Sequence, residues 1–197
     1  AVVSAKAFIR AYYRPTANET SGCSHAFSDG SLTAQAANAL ALELFPKADP
    51  VYGPALEEDQ RRCTVADLMR SVHDAQGHSI TGIIGQRALF PILSAVSTKP
   101  AVNGSGVYWP SGSRLALGMM TKKDFPSVAH EISQGATTLW ESYTGAGTHN
   151  HIMFGTFGAW YYSTLAGIQV KHPRSVLVDG NWLRKLVLKP AISCEYL

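Results

Sequence analysis

The stretch that decides the fold and the candidate chemistry of this chain is GATTLWESYTGAGTHNHIMFGTFGAWYYSTLAGI, residues 135–168. One carboxylate, Glu141, lies between aromatic residues near its start, and a Gly-rich loop follows. Glycine has no Cβ atom, so such a loop lets the backbone approach a ligand closely. An Asn-His pair, Asn150 and His151, then opens a long apolar segment. Glu141 is therefore the leading candidate for a functional carboxylate, with an ordinary solvated surface glutamate as the alternative.

The second half of this stretch has the spacing of an interior helix. Apolar residues recur there at steps of three or four, as Met153, Phe157, Trp160, Tyr161 and Leu165. Other apolar residues cover most of the remaining helical surface. A helix that is apolar nearly all round is typical of a protein interior, so we expect a buried helix over residues 151–166.

The same periodicity predicts a run of helices before this stretch. The predicted helices cover residues 3–14, 32–45, 56–75, 86–96 and 113–122, and a further one that begins near 124–127 and ends at 135. Ser31 is the candidate cap of the second helix. Residues 182–189 alone alternate like a strand. The pattern predicts an all-α fold of antiparallel helix pairs over residues 1–170, with a β segment starting in residues 171–197.

Length and charge exclude several classes of function. A chain of 197 residues, 46% of them hydrophobic, is long enough for one good core. The net charge is only +3, and the basic residues form no long run, so no nucleic-acid partner is expected. No apolar run approaches the ~18 residues that a membrane-spanning helix needs, so no membrane span is expected either.

Cysteines and glycosylation motifs point to the secretory pathway. The chain does not begin with Met, which indicates a processed chain or a fragment. Asn18 and Asn103 each begin an Asn-x-Ser/Thr motif, so both are candidate glycosylation sites of a secreted glycoprotein. The three cysteines are Cys23, Cys63 and Cys194. One disulfide bond within the chain and one to a partner fit this odd count, and three buried free thiols are the alternative.

Four motifs in register resemble one enzyme family. They are DGSLTAQ at 29–35 followed by LALELFP, GHSITGIIGQRALFPILS at 77–94, DFPSVAHEISQGATTLWE at 124–141, and NHIMFG at 150–155 followed by an aromatic helix ending in LAGI. Their order resembles that of the inverting α-L-rhamnosidases, glycoside hydrolases built on an (α/α)6 barrel. The resemblance covers roughly residues 1–190. It implies that residues 1–170 are the C-terminal half of an (α/α)6 toroid, a six-hairpin glycosidase fold, and that residues 171–197 begin a C-terminal β domain.

The resemblance also assigns roles to individual residues. Inverting hydrolysis uses two carboxyl groups about 6.5–9.5 Å apart, one protonating the leaving oxygen and one activating a water. The resemblance implies that Glu141 is the general base and that Trp140 forms a wall of the sugar pocket. His151 and Asn150 are the implied substrate contacts, and His78 and Thr81 lie on the same rim. The implied substrate is terminal α-L-rhamnose on a glycan or glycoside.

Departures from the family pattern leave the activity of this chain open. No segment of the chain matches the part of the family that carries the general acid. We therefore expect a companion chain that supplies the N-terminal half of the barrel and this acid. Ala159 stands where the family usually has an acidic residue, and residues 128–130 replace aromatic residues. The alternative function is a catalytically inactive, glycosidase-like structural or carbohydrate-binding subunit of an extracellular assembly.

No cofactor or metal is predicted. His149 and His151 are two residues apart, but a zinc site needs three or four ligands and the spacing supplies no third. The Gly-x-Ser-x-Gly motif of the α/β-hydrolases is absent from the sequence, and its glycine loops lack the lysine of a phosphate-binding loop. For His151 itself, helix capping or a buried hydrogen bond is the alternative to a substrate contact.

Overall fold

The computed structural model is mostly helical. It describes residues 2–15, 23, 25–27, 33–45, 56–96, 101–102, 108–109, 112–170, 186–188 and 190. Its α-helices are α1 Val2–Tyr12, α2 Ala34–Leu44, α3 Glu58–Asp74, α4 Gly82–Val96, α5 Gly112–Met120, α6 Val128–Ser133 and α7 Phe157–Trp160. The predicted all-α class is confirmed, and each helix falls within or beside a segment that the periodicity predicts.

Three short antiparallel hairpins accompany the helices. The strands are β1 Tyr13–Pro15, β2 His25–Phe27, β3 Ala101–Val102, β4 Tyr108–Trp109, β5 Ile168–Val170 and β6 Leu186–Leu188. Strand β1 pairs with β2, β3 pairs with β4, and β5 pairs with β6. In the last hairpin Ile168 is opposite Leu188. Strand β6 lies within the strand predicted over 182–189, and residues 182–185 are outside the described part. The domain boundary predicted at 170 stays a prediction.

The core forms where α2 packs between α3 and α4. Ala36, Ala39 and Ala41 are buried on α2, so short side chains let its neighbours approach closely. A Cβ atom added to Gly85 of α4 would lie 2.7 Å from the Cβ of Ala36. Larger buried side chains fill the rest of the core, among them Leu42, Leu68, Val72, Leu89, Phe90 and Leu93. The small residues on α2 and α4 thus bring these two helices close together.

Side chains at the helix starts explain where the helices begin. Thr33 caps α2 by accepting a hydrogen bond from the Ala36 N–H, whereas Ser31, the predicted cap, lies outside the described residues. Glu57 and Gln60 form a capping box at the start of α3. Ser127 caps α6 by accepting from the His130 N–H. Helix α4 begins at Gly82, four residues earlier than predicted.

The prediction of one regular buried helix over residues 151–166 is wrong. The chain forms a 3-10 turn over Ile152–Thr156, then α7, then a π-helical turn over Tyr161–Leu165. Phe154 and Trp160 are buried, but Ile152 is 79% exposed and Tyr162 is 69% exposed. The apolar pattern is therefore real, but only one side of it meets the core among the described residues.

A disulfide bond joins Cys23, next to β2, to Cys63 of α3. The prediction of a bond within the chain is confirmed, and the alternative of three free thiols is wrong. In the chain-entropy view, closing a loop of 40 residues destabilises the unfolded chain by about 4 kcal/mol. Cys194 and the two candidate glycosylation sites, Asn18 and Asn103, lie outside the described residues.

Across the described ranges, the helices are all too short or too polar to cross a lipid bilayer.

Candidate active site

Residues 136–151 fold back on themselves and bring together four of the predicted site residues, Trp140, Glu141, Asn150 and His151. The Glu141 N–H donates to the Thr148 carbonyl at 2.8 Å, and the His151 N–H donates to the Leu139 carbonyl at 2.8 Å. Gly145 and Gly147 turn the chain within the segment that these two bonds close, with φ angles of +75° and +84° that favour glycine. We call residues 136–151 the catalytic loop. It places Glu141 opposite Thr148, and Leu139 opposite His151.

The Glu141 carboxylate is held by donors on one of its oxygens. Oε2 accepts from the Thr148 backbone N–H at 2.9 Å and from the Thr148 hydroxyl at 3.2 Å. The Nδ1 atom of His151 lies 3.8 Å from the same oxygen. No described residue hydrogen-bonds to Oε1, and the side chain is 40% exposed. One carboxylate oxygen is thus fixed by the loop, and the other has no hydrogen-bond partner among the described residues.

These contacts favour the charged form of Glu141. The backbone N–H of Thr148 lowers the pKa of this carboxyl most, and the Thr148 hydroxyl and the positive form of His151 lower it further. Partial burial raises the pKa against this trend, but the pKa stays below the ordinary value. The group is therefore ionised at neutral pH, as a general base must be.

Gly147 is required for this geometry. A Cβ atom at position 147 would lie 2.6 Å from Oε2 of Glu141, which is closer than real Cβ contacts allow. The positive φ angle there adds strain for any other residue. The Gly-rich loop expected to let the backbone approach a ligand instead lets it approach the candidate catalytic carboxylate.

Trp140 lies beside Glu141 with one face covered. The imidazole of His149 stacks on its ring at 4.5 Å between centroids, with an angle of 17° between the planes. Nε2 of His149 is 2.9 Å from the Gly145 carbonyl, which fixes the stacked ring. A Cβ atom at Gly145 would lie 3.1 Å from the indole. His149 therefore leaves only part of the Trp140 ring open, and the role of Trp140 as a wall of a sugar pocket stays a prediction.

His151 and Asn150 follow the turn and lie at the protein surface. His151 is the first residue before the 3-10 turn, but its side chain makes no capping hydrogen bond there. Its Nδ1 atom lies 3.0 Å from the Thr148 hydroxyl instead. Asn150 is exposed, and its side chain has no hydrogen-bond partner among the described residues. Both stand next to the carboxylate, as the resemblance implies, and their substrate contacts stay a prediction.

His78 and Thr81 are buried away from the loop surface. Nδ1 of His78 is 2.8 Å from the Pro126 carbonyl, and Nε2 is 3.2 Å from the Asp124 carboxylate. His78 is 4% exposed and Thr81 is 6% exposed. Neither hydrogen-bonds to Glu141 or His151 among the described residues. Their place on a substrate rim stays a prediction. His78 joins the segment before α4 to the segment before α6, whereas the Thr81 hydroxyl donates to Gln86 of α4.

Sequence reasoning missed the role of Tyr143. Its hydroxyl hydrogen-bonds to Ser79 and Gln86, and its ring meets Phe154 edge-on at 5.4 Å. Burial and the nearby negative charge of Glu131 raise the pKa of Tyr143 to about 12, so the phenol stays neutral. The side chain ties the catalytic loop to the start of α4. An aromatic residue two positions after Glu141 was visible in the sequence, but its hydroxyl partners were not.

Within the described part of the chain, no three His, Cys, Asp or Glu side chains converge in a way that would hold a metal ion. His149 and His151 are engaged separately, one with Gly145 and the other with Thr148. Glu141 and His151 form a carboxylate with an adjacent imidazole, a pair of groups able to transfer protons.

Comparison with known families places this geometry in context. The model of the bacterial alpha-L-rhamnosidase 6 hairpin glycosidase domain matches residues 3–165 of this chain. Apart from Val2 of α1, the match covers the α-helices of the described residues and the whole catalytic loop.

Individual relatives agree with the family match. The chain is 25% identical over 153 residues to an alpha-L-rhamnosidase of Streptomyces avermitilis, covering 72% of this chain and 13% of that protein. The solved alpha-L-rhamnosidase from Dictyoglumus thermophilum is similar with a TM-score of 0.62 and 27% identity, over 86% of this chain and 16% of its own. The Streptomyces avermitilis enzyme complexed with L-rhamnose shares the fold, with a TM-score of 0.62 at 21% identity over 94% of this chain and 15% of its own. The chain thus spans about one-eighth to one-sixth of these relatives.

Proposed function

The chain belongs to the bacterial α-L-rhamnosidase six-hairpin glycosidase family, and we propose that it supplies the general base of an inverting enzyme that removes terminal α-L-rhamnose. One observation carries this proposal. Glu141 has one oxygen fixed by Thr148 and His151, while no described residue hydrogen-bonds to the other. A base that activates water needs this division, because one oxygen sets the orientation and the other receives the proton.

The proposed reaction follows from the position of Glu141. A water molecule at Oε1 loses a proton to Glu141 while its oxygen attacks the anomeric carbon of rhamnose. A carboxylic acid on the opposite side of the sugar protonates the leaving oxygen, so the product anomer is inverted. Trp140, His151 and Asn150 would contact the sugar, and the roles of His78 and Thr81 on the rim belong to the same proposal.

The proposed general acid comes from a companion chain that carries the other half of the barrel. Ile152, which directly follows the catalytic loop in the sequence, and Tyr162 are largely exposed apolar side chains. Exposed apolar surface supports the proposal of a partner. The Cys23–Cys63 bond supports the proposal of a secreted protein, because such bonds persist in oxidising compartments.

A second candidate is an inactive, glycan-binding or structural subunit. Ala159, which is exposed on α7, motivates it, because the family usually has an acidic residue at this position. In this case the loop would bind rhamnose without cleaving it. The two candidates share the fold and differ only in whether an assembled pair of carboxyl groups exists.

The test is hydrolysis of a chromogenic α-L-rhamnoside by the native, undissociated protein, with the product anomer followed by NMR. The enzyme proposal expects release of the inverted anomer. Release of the retained anomer would contradict a general-base role for Glu141. Binding of rhamnose without turnover would favour the inactive subunit and rule out the enzyme.

A further inference from the structure

The side chain of Thr148 lies between the two titratable groups of the site. Its Oγ1 atom is 3.2 Å from Oε2 of Glu141 and 3.0 Å from Nδ1 of His151. The backbone cannot easily separate them, because the Thr148 carbonyl accepts from the Glu141 N–H and the Leu139 carbonyl accepts from the His151 N–H. The three side chains are therefore held in one chain of hydrogen bonds.

A threonine hydroxyl has one proton and two lone pairs, so it can donate to only one of these neighbours. An ionised carboxylate accepts hydrogen bonds and donates none. A bond from a hydroxyl to a carboxylate is charge-assisted and roughly twice as strong as one between neutral groups. The Thr148 proton therefore goes to Glu141, and a lone pair of Oγ1 faces His151.

From this geometry we propose that Thr148 is a positioning residue that fixes the tautomer of His151, so that Nδ1 carries the ring proton and Nε2 is presented to the sugar as a hydrogen-bond acceptor. Nδ1 must donate, because the only feature of Oγ1 left to meet it is a lone pair. No described residue hydrogen-bonds to Nε2, and the His151 side chain is 22% exposed. Neutral His151 then accepts a hydrogen bond from a hydroxyl of the substrate.

Among the described residues, Thr148 is the group placed to set the tautomer of His151. Glu141 and His151 are the titratable groups that face one another across its hydroxyl among the described residues. His149, on the same loop, stacks on Trp140 and bonds to the Gly145 carbonyl, so it takes no part in the chain of bonds. The tautomer of His151 is a property of this chain alone, whereas its consequence for the sugar rests on the proposed function.

The direct test is the ¹⁵N NMR spectrum of the histidine side chains of the full chain at a pH where His151 is neutral. The two nitrogens of each tautomer have distinct shifts, and a His151→Gln spectrum assigns the signals. We expect the Nδ1–H form in the wild type and in Thr148→Ser, which keeps the hydroxyl. In Thr148→Val, which keeps the shape and the backbone N–H, we expect that preference to be lost. An Nε2–H form in the wild type, or an unchanged spectrum in Thr148→Val, would overturn the proposal.

A kinetic measurement separates positioning from a merely structural role. If the native protein hydrolyses an α-L-rhamnoside, Thr148→Val should lower kcat/KM on the order of tenfold, with KM rising because a sugar contact is lost. The acid limb of the pH profile of kcat/KM should move to higher pH in Thr148→Val, because Glu141 loses a hydrogen-bond donor. Thr148→Ser should restore both the wild-type kcat/KM and the position of this limb. An unchanged limb and an unchanged KM would contradict the proposal. Absence of turnover would count against the proposed function, while the NMR result would still decide the tautomer.

Discussion

Two glutamates ten residues apart, Glu131 and Glu141, have opposite environments. Glu131 lies on α6, is 3% exposed, and its Oε1 atom has no partner among the described residues. Burial raises the pKa of Glu131, whereas donors from Thr148 and the charge of His151 lower the pKa of Glu141. Burial therefore disfavours the charged form of the glutamate in one place, and the donors of the loop stabilise the charged form in the other.

The difference shows which local structure stabilises an ionised carboxylate. On α6 the side chain of Glu131 is buried, and its Oε1 atom meets no donor among the described residues. The catalytic loop instead turns the N–H of Thr148 toward Glu141, and Gly147 makes this approach possible. Burial alone favours the neutral acid, and only the irregular loop supplies the donors that a base requires.

The largest effect is expected from Glu141→Gln, which removes the proposed base and keeps the shape of the side chain. General-base catalysis contributes about 10²–10⁴-fold, so kcat for an α-L-rhamnoside should fall by about a hundredfold to ten-thousandfold. The matched control is Glu58→Gln, at an exposed site in the first turn of α3, which should keep full activity. A loss of only a fewfold in Glu141→Gln would exclude it as the base.

A substitution at Gly147 tests whether the loop backbone creates the difference between the two glutamates. In Gly147→Ala the new methyl group clashes with the Glu141 carboxylate and displaces it. Displacing a catalytic group by about 1 Å costs on the order of a hundredfold in rate. Gly118→Ala is the control, because nothing lies within 4 Å of a Cβ at that site on α5, and it should leave the rate unchanged. Equal rates for both variants would contradict the account.

Tyr143 links the surroundings of the two glutamates. It belongs to the catalytic loop that carries Glu141, and its hydroxyl bonds to Ser79 and Gln86, near the charge of Glu131. Tyr143→Phe removes the hydroxyl to which the buried side chains of Ser79 and Gln86 bond. The free energy of unfolding should therefore fall by about 1–2 kcal/mol. Denaturant titration measures this change. Tyr162→Phe, at a largely exposed site, should stay within about 0.5 kcal/mol of the wild type. If both variants matched the wild type, Tyr143 would not be the anchor of the loop.

The smallest effect sharpens the comparison most, because the two glutamates should respond to pH in opposite ways. The folded pKa of Glu141 is lowered, so its contribution to stability is present above its unfolded pKa and lost as pH falls through the folded value. The folded pKa of Glu131 is raised, so the folded state loses stability as pH rises from the unfolded value to the folded value.

Near neutral pH, Glu141→Gln should therefore be less stable than the wild type, and Glu131→Gln should be more stable. Both differences should shrink in acid, where the carboxyl groups are protonated in the folded and unfolded chains alike. Denaturant midpoints at several pH values measure these differences. Shifts of the same sign in both variants would show that the two environments are alike.

The sequence predicted the helices well but missed how the site is supported. Helical periodicity located α2 and α3 because their apolar residues repeat regularly and Gly or Pro lies near their ends. It failed over residues 151–166, where Gly155 and Gly158 interrupt a pattern that otherwise predicts a regular helix. Gly155 lies against Leu139, and a Cβ there would be 2.7 Å from that side chain.

The candidate site was predictable as a set of residues and not as a set of contacts. The motif around Glu141 identified the carboxylate, the tryptophan and the Asn-His pair, and the structure brings them together on one loop. Nothing in the sequence identified Thr148 as the donor to Glu141 or Ser79 as a partner of Tyr143. These contacts depend on how the loop turns and on which helix it meets. Neither feature follows from a repeating pattern of apolar residues in the sequence.

The central claim, that Glu141 is the base that activates water, is tested most directly by chemical rescue. In Glu141→Ala the native protein should hydrolyse an activated α-L-rhamnoside very slowly, and added azide should restore turnover because this anion needs no base. The account predicts that the product is the inverted β-L-rhamnosyl azide. Wild-type activity in Glu141→Ala, or an azide product that retains the α configuration, would contradict it.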